Sequence, residues 1–341
     1  MSLLAARSLS LTLGQPLFTD LSFTIAQGDR IGLVAANGRG KSSLLRLLAG
    51  ALDPTTGEVT RVRGLKVGLV AQDVPADLLP LSLRVAVLGG LAPEAAEYEG
   101  WRVDVMLDDL EVPEALRDQP LATLSGGWQR TALLARVAVG EPDLYLLDEP
   151  TNHLDLGRMR HLTGWLAGLP RSVAVIAASH DRAFLDEATG HSLFLRAEKS
   201  RFFALPFSAA RAALAEADGA DARLYQTRMK EAEQLRKQAA KLKNIGINSG
   251  SDLLTVKTRQ LKDRAERIEA AARPAHRDGS AGAIRLSNSG SHAKALVTLA
   301  EAVITTPDGR ALFSTGQKWI ERGDRVVLLG ANGTGKTRMI E

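Results

Sequence analysis

Leu144-Tyr145-Leu146-Leu147-Asp148-Glu149-Pro150-Thr151-Asn152-His153-Leu154-Asp155 is the stretch whose reading decides the fold. Its apolar start, Leu144 to Leu147, stops abruptly at two acids and a proline. Such a run reads as a buried strand of a parallel sheet whose C-terminal end opens into a site. Open α/β sheets bind their ligands at that end. Adjacent carboxylates there suit two tasks, with Asp148 holding Mg²⁺ and Glu149 orienting and deprotonating a water. Taken alone, the residues read equally well as a strand followed by a solvated acidic turn. Partner motifs elsewhere in the chain tip the balance toward a site.

The nearest partner in logic lies upstream. Ile31 to Ala35 is an apolar strand that runs into Ala36-Asn37-Gly38-Arg39-Gly40-Lys41-Ser42-Ser43, after which Leu44 to Ala49 reads as a helix stopped by Gly50. Strand, glycine-rich loop, Lys-Ser and helix make a phosphate-binding loop. Its backbone N–H groups and the helix N-terminus cradle phosphate oxygens. Lys41 reaches the β- and γ-phosphates and the Ser42 hydroxyl reaches Mg²⁺. The template asks for glycine at position 35, where this chain has Ala35. If that position is left-handed, alanine costs about 1–2 kcal/mol.

Gln72 closes the strand-like run Val67 to Val70. Leu124-Ser125-Gly126-Gly127-Trp128-Gln129-Arg130 precedes an apolar helix from Thr131 to Val139. Ser125 is placed to cap that helix, and the glycines let a phosphate approach backbone N–H groups. Val173 to Ala178 is another buried strand and ends in Ser179-His180-Asp181. Between Gln72 and this glycine pair, residues 75–120 are helical, polar-faced and punctuated by prolines, a lobe rather than a sheet. Upstream, Met1 to Leu13 reads as a first strand, because it lacks the basic start and small-residue cleavage site of a signal peptide.

Composition bounds the class. The chain has 341 residues, 45% apolar and 24% charged, room for two domains or one and a piece. It has no cysteine, which excludes disulfides and thiolate metal sites and fits a reducing cytoplasm. No run approaches the roughly 18 apolar residues of a membrane helix.

In order, these motifs resemble the nucleotide-binding cassette of the ABC ATPase superfamily over residues 1–206. Thr151-Asn152-His153-Leu154-Asp155 resembles the form typical of the ABC-F subfamily, paired cassettes that act on ribosomes without a membrane domain. The resemblance implies an α/β P-loop cassette with a helical lobe at about 75–140. It implies ATP and Mg²⁺ as ligands, and ATP hydrolysis. Asn37, Gly38, Gly40, Lys41, Ser42 and Ser43 would bind phosphate. Ser42, Gln72 and Asp148 would surround the metal. Glu149 would be the general base, Gln72 would sense metal and attacking water, and His180 would hold the γ-phosphate. Ser125, Gly126 and Gly127 would touch the ATP of a facing cassette. The adenine-stacking aromatic of the family would fall near Leu13, so stacking worth about 0.5–1.5 kcal/mol is absent there.

A repeat extends the reading. Residues 312–337 match residues 17–42 without a gap, ending in Asn332-Gly333-Thr334-Gly335-Lys336-Thr337. Gly330 supplies the glycine missing at Ala35. A second cassette, with Gly330, Asn332, Gly333, Gly335, Lys336 and Thr337 as ATP contacts, is expected over 295–341, stopping before a second glutamine, signature or acidic strand. Between the two, residues 207–294 form a linker. Stretches 208–243 and 252–273 read as a helical hairpin broken at 244–251, and Ser280 to Ser291 as a flexible Ser/Gly-rich segment. Residues 208–277 carry 15 Lys/Arg and 9 Asp/Glu, against a net +4 for the whole chain. In ABC-F proteins the equivalent linker reaches the ribosome near the peptidyl-tRNA. A basic hairpin could neutralise rRNA or tRNA phosphates, or be a solvated spacer. The role expected is translation regulation or antibiotic resistance. The alternatives are a non-enzymatic ribosome-binding fragment and the ATPase subunit of a transporter. Pairing of first cassettes between two copies would supply each with a facing signature.

Overall fold

Alternating burial builds the first sheet. In the computed structural model, which describes residues 1–249, 252–272, 295–306, 309–330 and 334–340, strand β1 (Ser2–Leu13) turns at Gly14 into β2 (Gln15–Ala26). Gly14 sits at φ +72, the left-handed conformation that a tight reversal favours and glycine adopts without strain. Leu21, Phe23 and Ile25 alternate inward along β2. Next come β3 (Arg30–Val34), α1 (Lys41–Ala49), β4 (Thr56–Arg61) and β5 (Val67–Val70). β1 pairs antiparallel with both β2 and β4.

The helical lobe follows as α2 (Leu83–Leu88), α3 (Pro93–Tyr98), α4 (Trp101–Asp109), α5 (Glu114–Arg117) and α6 (Gly126–Ala138). The chain then alternates β6 (Leu144–Asp148), α7 (Leu156–Gly168), β7 (Ala174–Ala178), α8 (Arg182–Ala188), β8 (His191–Phe194) and β9 (Arg201–Phe203). Together these make a six-stranded sheet of order β5-β6-β7-β3-β8-β9, parallel except at β9. β6 and β7 are buried at every position, which is why they read as unbroken apolar runs rather than alternating ones.

α1 seats this sheet. Leu44, Leu45, Leu47 and Leu48 fall on one face and join Ile31, Leu33, Leu144, Leu146 and Ile176 in the core. Burying each leucine stabilises the fold by about 1.5–3 kcal/mol. Gly50, at φ +82, ends the helix, its N–H donating to the Leu47 carbonyl, and the Arg61 guanidinium from β4 donates to the carbonyls of Leu47 and Leu48.

A second region carries the helical pair α9 (Phe207–Ser249) and α10 (Asp252–Ala271). The expected break at 244–251 is shorter than the sequence suggests, because α9 continues to Ser249. A single helical glycine costs only about 1 kcal/mol, and its neighbours tolerate the helix. The helices run antiparallel: Arg236 pairs with Glu269, Glu231 with Arg264, and Arg228 donates to the Ala271 carbonyl. Small buried residues recur every seven positions, Ala232 and Ala239 on α9, and Thr258, Ala265 and Ala272 along and just past α10. That is a coiled-coil repeat whose seam lets two backbones approach closely. The Ser/Gly-rich stretch 280–291 lies outside the described residues.

The C-terminal segment holds β10 (Ala295–Leu299), β11 (Val303–Thr305), β12 (Ala311–Ser314), β13 (Lys318–Glu321) and α11 (Lys336–Ile340). β10 pairs with β13 and β11 with β12, all antiparallel. Among the described residues no helix is long and apolar enough to cross a membrane.

Candidate active site

The sheet order gathers four chain segments at one edge. β3 ends at Val34 and feeds the phosphate loop. Its neighbour β7 ends at Ala178 before Ser179-His180. Next to β7, β6 ends at Asp148, and beyond it β5 ends at Val70, just before Gln72. Parallel pairing forces all four carboxyl ends to the same side, so residues far apart in sequence converge. They line an open cleft of about 630 Å³ that includes Asn37, Lys41, Ser42, Gln72, Glu149 and His180. Gly38, Gly40 and Ser43 line it as well.

Within the cleft, Lys41 is the hub. Its Nζ lies 2.7 Å from His180 Nε2 and 3.5 Å from Glu149 Oε1, and it donates to the Ala35 carbonyl at 3.2 Å. An ammonium can only donate, so toward Lys41 the His180 Nε2 serves as acceptor in the tautomer protonated at Nδ1, whereas toward Glu149 it serves as donor in the other. Glu149 Oε1 is also 3.2 Å from His180 Nε2. Lys41 and Glu149 are both buried, so this is a cation and an anion in mutual reach at the floor of an anion-sized space.

Backbone geometry explains the placement. Gly38 and Gly40 are left-handed, at φ +72 and +87. At Gly40 a side chain would also meet Leu17 at 3.1 Å. Ala35 keeps an ordinary φ, so the strain that would follow from a left-handed alanine is not incurred. Glu149 is the residue under strain. It sits at φ +49 while its N–H donates to the Ala178 carbonyl at 2.8 Å. A non-glycine residue held there costs about 1–2 kcal/mol, and such residues cluster at functional sites. Asp148 precedes it, buried, with Oδ1 lacking a hydrogen-bond partner among the described residues. An orphaned buried carboxylate oxygen at the end of the strand that delivers Glu149 to the cleft fits a hard cation such as Mg²⁺.

Ser125 differs from expectation. Its backbone occupies the N-cap of α6, but its side chain makes no cap bond, and its buried Oγ has no partner among the described residues. The Gly126 and Gly127 N–H groups that follow stay available at a helix start. These residues do not line the phosphate-loop cleft. Gly126 instead packs against His153, where a Cβ would meet that side chain at 3.2 Å.

Arg130 is a residue that sequence reading passes over. Its guanidinium donates to the Ala71 carbonyl at 2.7 Å, bracing the residue before Gln72 from α6. Burial pulls its pKa below the ordinary arginine value, and the charges of Asp73, Asp148 and Glu149 oppose that. No motif spacing marks it; only the folded register brings α6 beside the end of β5.

The second loop copies the first at a constant offset. Lys336 donates to Gly330 at 2.7 Å as Lys41 does to Ala35, and Gly335 is at φ +90 with Leu312 where Gly40 has Leu17. The Asp29 carboxylate accepts the Ala26 N–H at 2.7 Å, and Asp324 accepts the Glu321 N–H at 2.8 Å. Thr337 lies in α11. Asn332 and Gly333 lie outside the described residues.

Phosphate loop, Gln72, signature, acidic strand and His180 thus stand in one cassette, followed by a helical pair and a second loop. This chain is similar to ATP-binding cassette proteins of the ABC-F type. The ABC transporter family matches residues 18–152. The chain is 27% identical to ABC transporter F family member 2 of Arabidopsis thaliana, over 96% of its own length and 53% of that protein. It is 29% identical to the energy-dependent translational throttle protein EttA of Mycobacterium tuberculosis, over 94% of its length and 62% of that protein. The chain therefore spans little more than half of these curated relatives. A dimeric bacterial ABC transporter cassette superposes with a TM-score of 0.52 at 21% identity, over 59% of this chain and 97% of that one. The fold is that of a P-loop ABC ATPase cassette, an α/β sheet with a helical lobe.

Proposed function

We propose that this ABC-F chain binds MgATP, takes part in its hydrolysis, and works in the cytoplasm on the ribosome. One observation carries the catalytic half: Lys41, Glu149 and His180 meet within 3.5 Å at the carboxyl edge of the sheet. In this reading Asn37, Gly38, Gly40 and Ser43 present backbone and hydroxyl donors to the phosphates, and Lys41 leaves Glu149 to pair with the β- and γ-oxygens. Ser42, Gln72 and Asp148 hold the Mg²⁺, which when bound neutralises charge on the transferring phosphoryl group. Glu149, released from Lys41, takes the proton of the attacking water, and Gln72 orients that water. His180 donates a hydrogen bond to the γ-phosphate. Ser125, Gly126 and Gly127 serve the nucleotide of a facing cassette, and the second loop, with Gly330, Asn332, Gly333, Gly335, Lys336 and Thr337, binds a second ATP. A facing cassette can come from the same protein or from a second copy. The dimeric cassette among the structural relatives supports such pairing.

The adenine side has an aliphatic floor. Leu13 is 54% exposed and lines the cleft. Leu13→Tyr is expected to tighten ATP binding about two- to tenfold, the stacking gain of about 0.5–1.5 kcal/mol. Equilibrium dialysis of ATP against both proteins reads this directly. Unchanged or weaker binding places the adenine elsewhere.

The ribosomal half of the proposal rests on the basic helical pair and on the translational role named for EttA. Within it, regulation of translation is the reading the relatives' names favour over protection from an antibiotic. Reversing Lys237, Lys241 and Lys243 together is expected to weaken ribosome co-sedimentation at least tenfold, with a shallower salt dependence and unchanged ATP affinity. Co-sedimentation equal to wild type at matched salt reduces the pair to a spacer.

A further inference from the structure

At the sheet edge opposite the phosphate loop, the chain carries a cavity that nothing in the ATP chemistry uses. It has a volume of about 440 Å³ and opens where β6 and β7 begin, beside Asp143 and Val173. Met106 and Asp109 line it from the lobe, Glu141 and Asp143 from the turn before β6, and Tyr145 and Trp165 from the core. The two rings meet edge to face, centroids 5.8 Å apart and planes at 87°, forming an aromatic corner.

The charged groups around that corner are all anionic. Tyr145 is only 3% exposed, lines the cavity, and its hydroxyl makes no hydrogen bond among the described residues. With its ring buried and its hydroxyl open to the cavity, Tyr145 can offer that oxygen to a bound group. Burial, reinforced by the charge of Glu141, pushes the Tyr145 phenol up to about 12, so its oxygen stays neutral and able to accept an N–H. Glu141 is paired with Arg102 at 2.7 Å. Asp143 uses one oxygen to accept the Lys66 N–H at 2.9 Å and, like Asp109, has no cationic side chain paired with it among the described residues. The surroundings are acidic too: residues 92–118 hold nine carboxylates and two arginines.

We infer that this cavity is a binding site for a guanidinium group. A planar cation stacks on an indole face, and its fan of N–H donors matches a phenol oxygen and two carboxylates that line the same cavity without a cationic partner among the described residues. A compact ammonium would satisfy the charge but not the flat aromatic wall. An anion or a nucleic-acid phosphate is repelled by the same carboxylates. The chain already uses the pairing internally, with the Arg158 guanidinium over the Trp128 ring at 3.1 Å to its centroid. The guanidinium can belong to a free small molecule or to an arginine side chain of a polypeptide, and the surrounding negative charge favours the latter.

The test is calorimetric titration of the nucleotide-free full chain at low salt with butylguanidinium, butylammonium and an acetylated hexa-arginine peptide. Butylguanidinium is expected to bind one per chain and at least fivefold tighter than butylammonium. Tyr145→Phe should weaken it about tenfold, the loss of one hydrogen bond to a charged group. The double variant Asp109→Asn, Asp143→Asn should weaken it at least tenfold, while ATP affinity and melting temperature stay at wild-type values in both. Peptide binding more than tenfold tighter than butylguanidinium, lost in the same variants, identifies a polypeptide ligand. Parity between the two identifies a free guanidinium compound. No saturable binding up to about 10 mM, or affinity unchanged in both variants, overturns the inference. Because the titration contains no nucleotide, its outcome is separable from that of the ATPase reading.

Discussion

Glu149→Gln is expected to lower ATP turnover about 10²–10⁴-fold while leaving ATP affinity within about threefold. The amide keeps the shape of the carboxylate but cannot accept a proton from water. It also removes the anion 3.5 Å from Lys41, so the lysine has one less competitor for phosphate. Nucleotide therefore stays bound, and under the proposed function co-sedimentation with ribosomes is expected to rise. Steady-state phosphate release, filter binding of ATP and ribosome co-sedimentation on the same preparations read the three effects. Turnover within tenfold of wild type removes Glu149 from the base role.

The second large effect is on stability, at a position far from the chemistry. A Cβ on Gly90 would sit 1.9 Å from the Arg136 carbonyl oxygen and 3.0 Å from Val139. The obstacle is backbone of α6, not the end of a flexible side chain, so α2 and α6 must separate. Gly90→Ala is expected to destabilise the cassette by about 3 kcal/mol. That corresponds to a melting temperature lower by roughly 6–12 °C for a unit of this size. Calorimetry and urea unfolding at equal protein concentration measure it. A shift inside about 0.5 kcal/mol would mean that the lobe accommodates the methyl without moving.

Much of the fold is legible in the sequence because the sheet is parallel and its strands are buried on both faces. Leu144–Leu147 and Val173–Ala178 stand out as apolar runs, and each carries its polar punctuation at its carboxyl end. The repeat at 312–337 is legible for a different reason: turns and loops with left-handed glycines constrain residue type tightly, as Gly28 and Gly323 at φ +79 and +96 illustrate. Strand order is not legible. Nothing in the sequence places β7 between β3 and β6, yet that order is what sets His180 beside Lys41. The left-handed turn at Glu149 is equally hidden, since the residue that bears the strain is chosen for its carboxylate and not for its backbone preference. At Ser125 the hydroxyl matches a cap by type, but its side chain makes no cap bond. At 244–251 the glycines read as a break because local propensity is visible, whereas helix continuation depends on context.

The seven-residue alanine seam of the helical pair has a mechanical consequence. A two-helix rod is far stiffer in bending than a single helix, and close backbone approach leaves its side chains little room to slide. At about 1.5 Å per residue, the part of α9 braced by the 20 residues of α10 is roughly 30 Å long. A rod of that length amplifies angle into distance: a tilt of about 10° at its base sweeps the far end through about 5 Å, one turn of an α-helix.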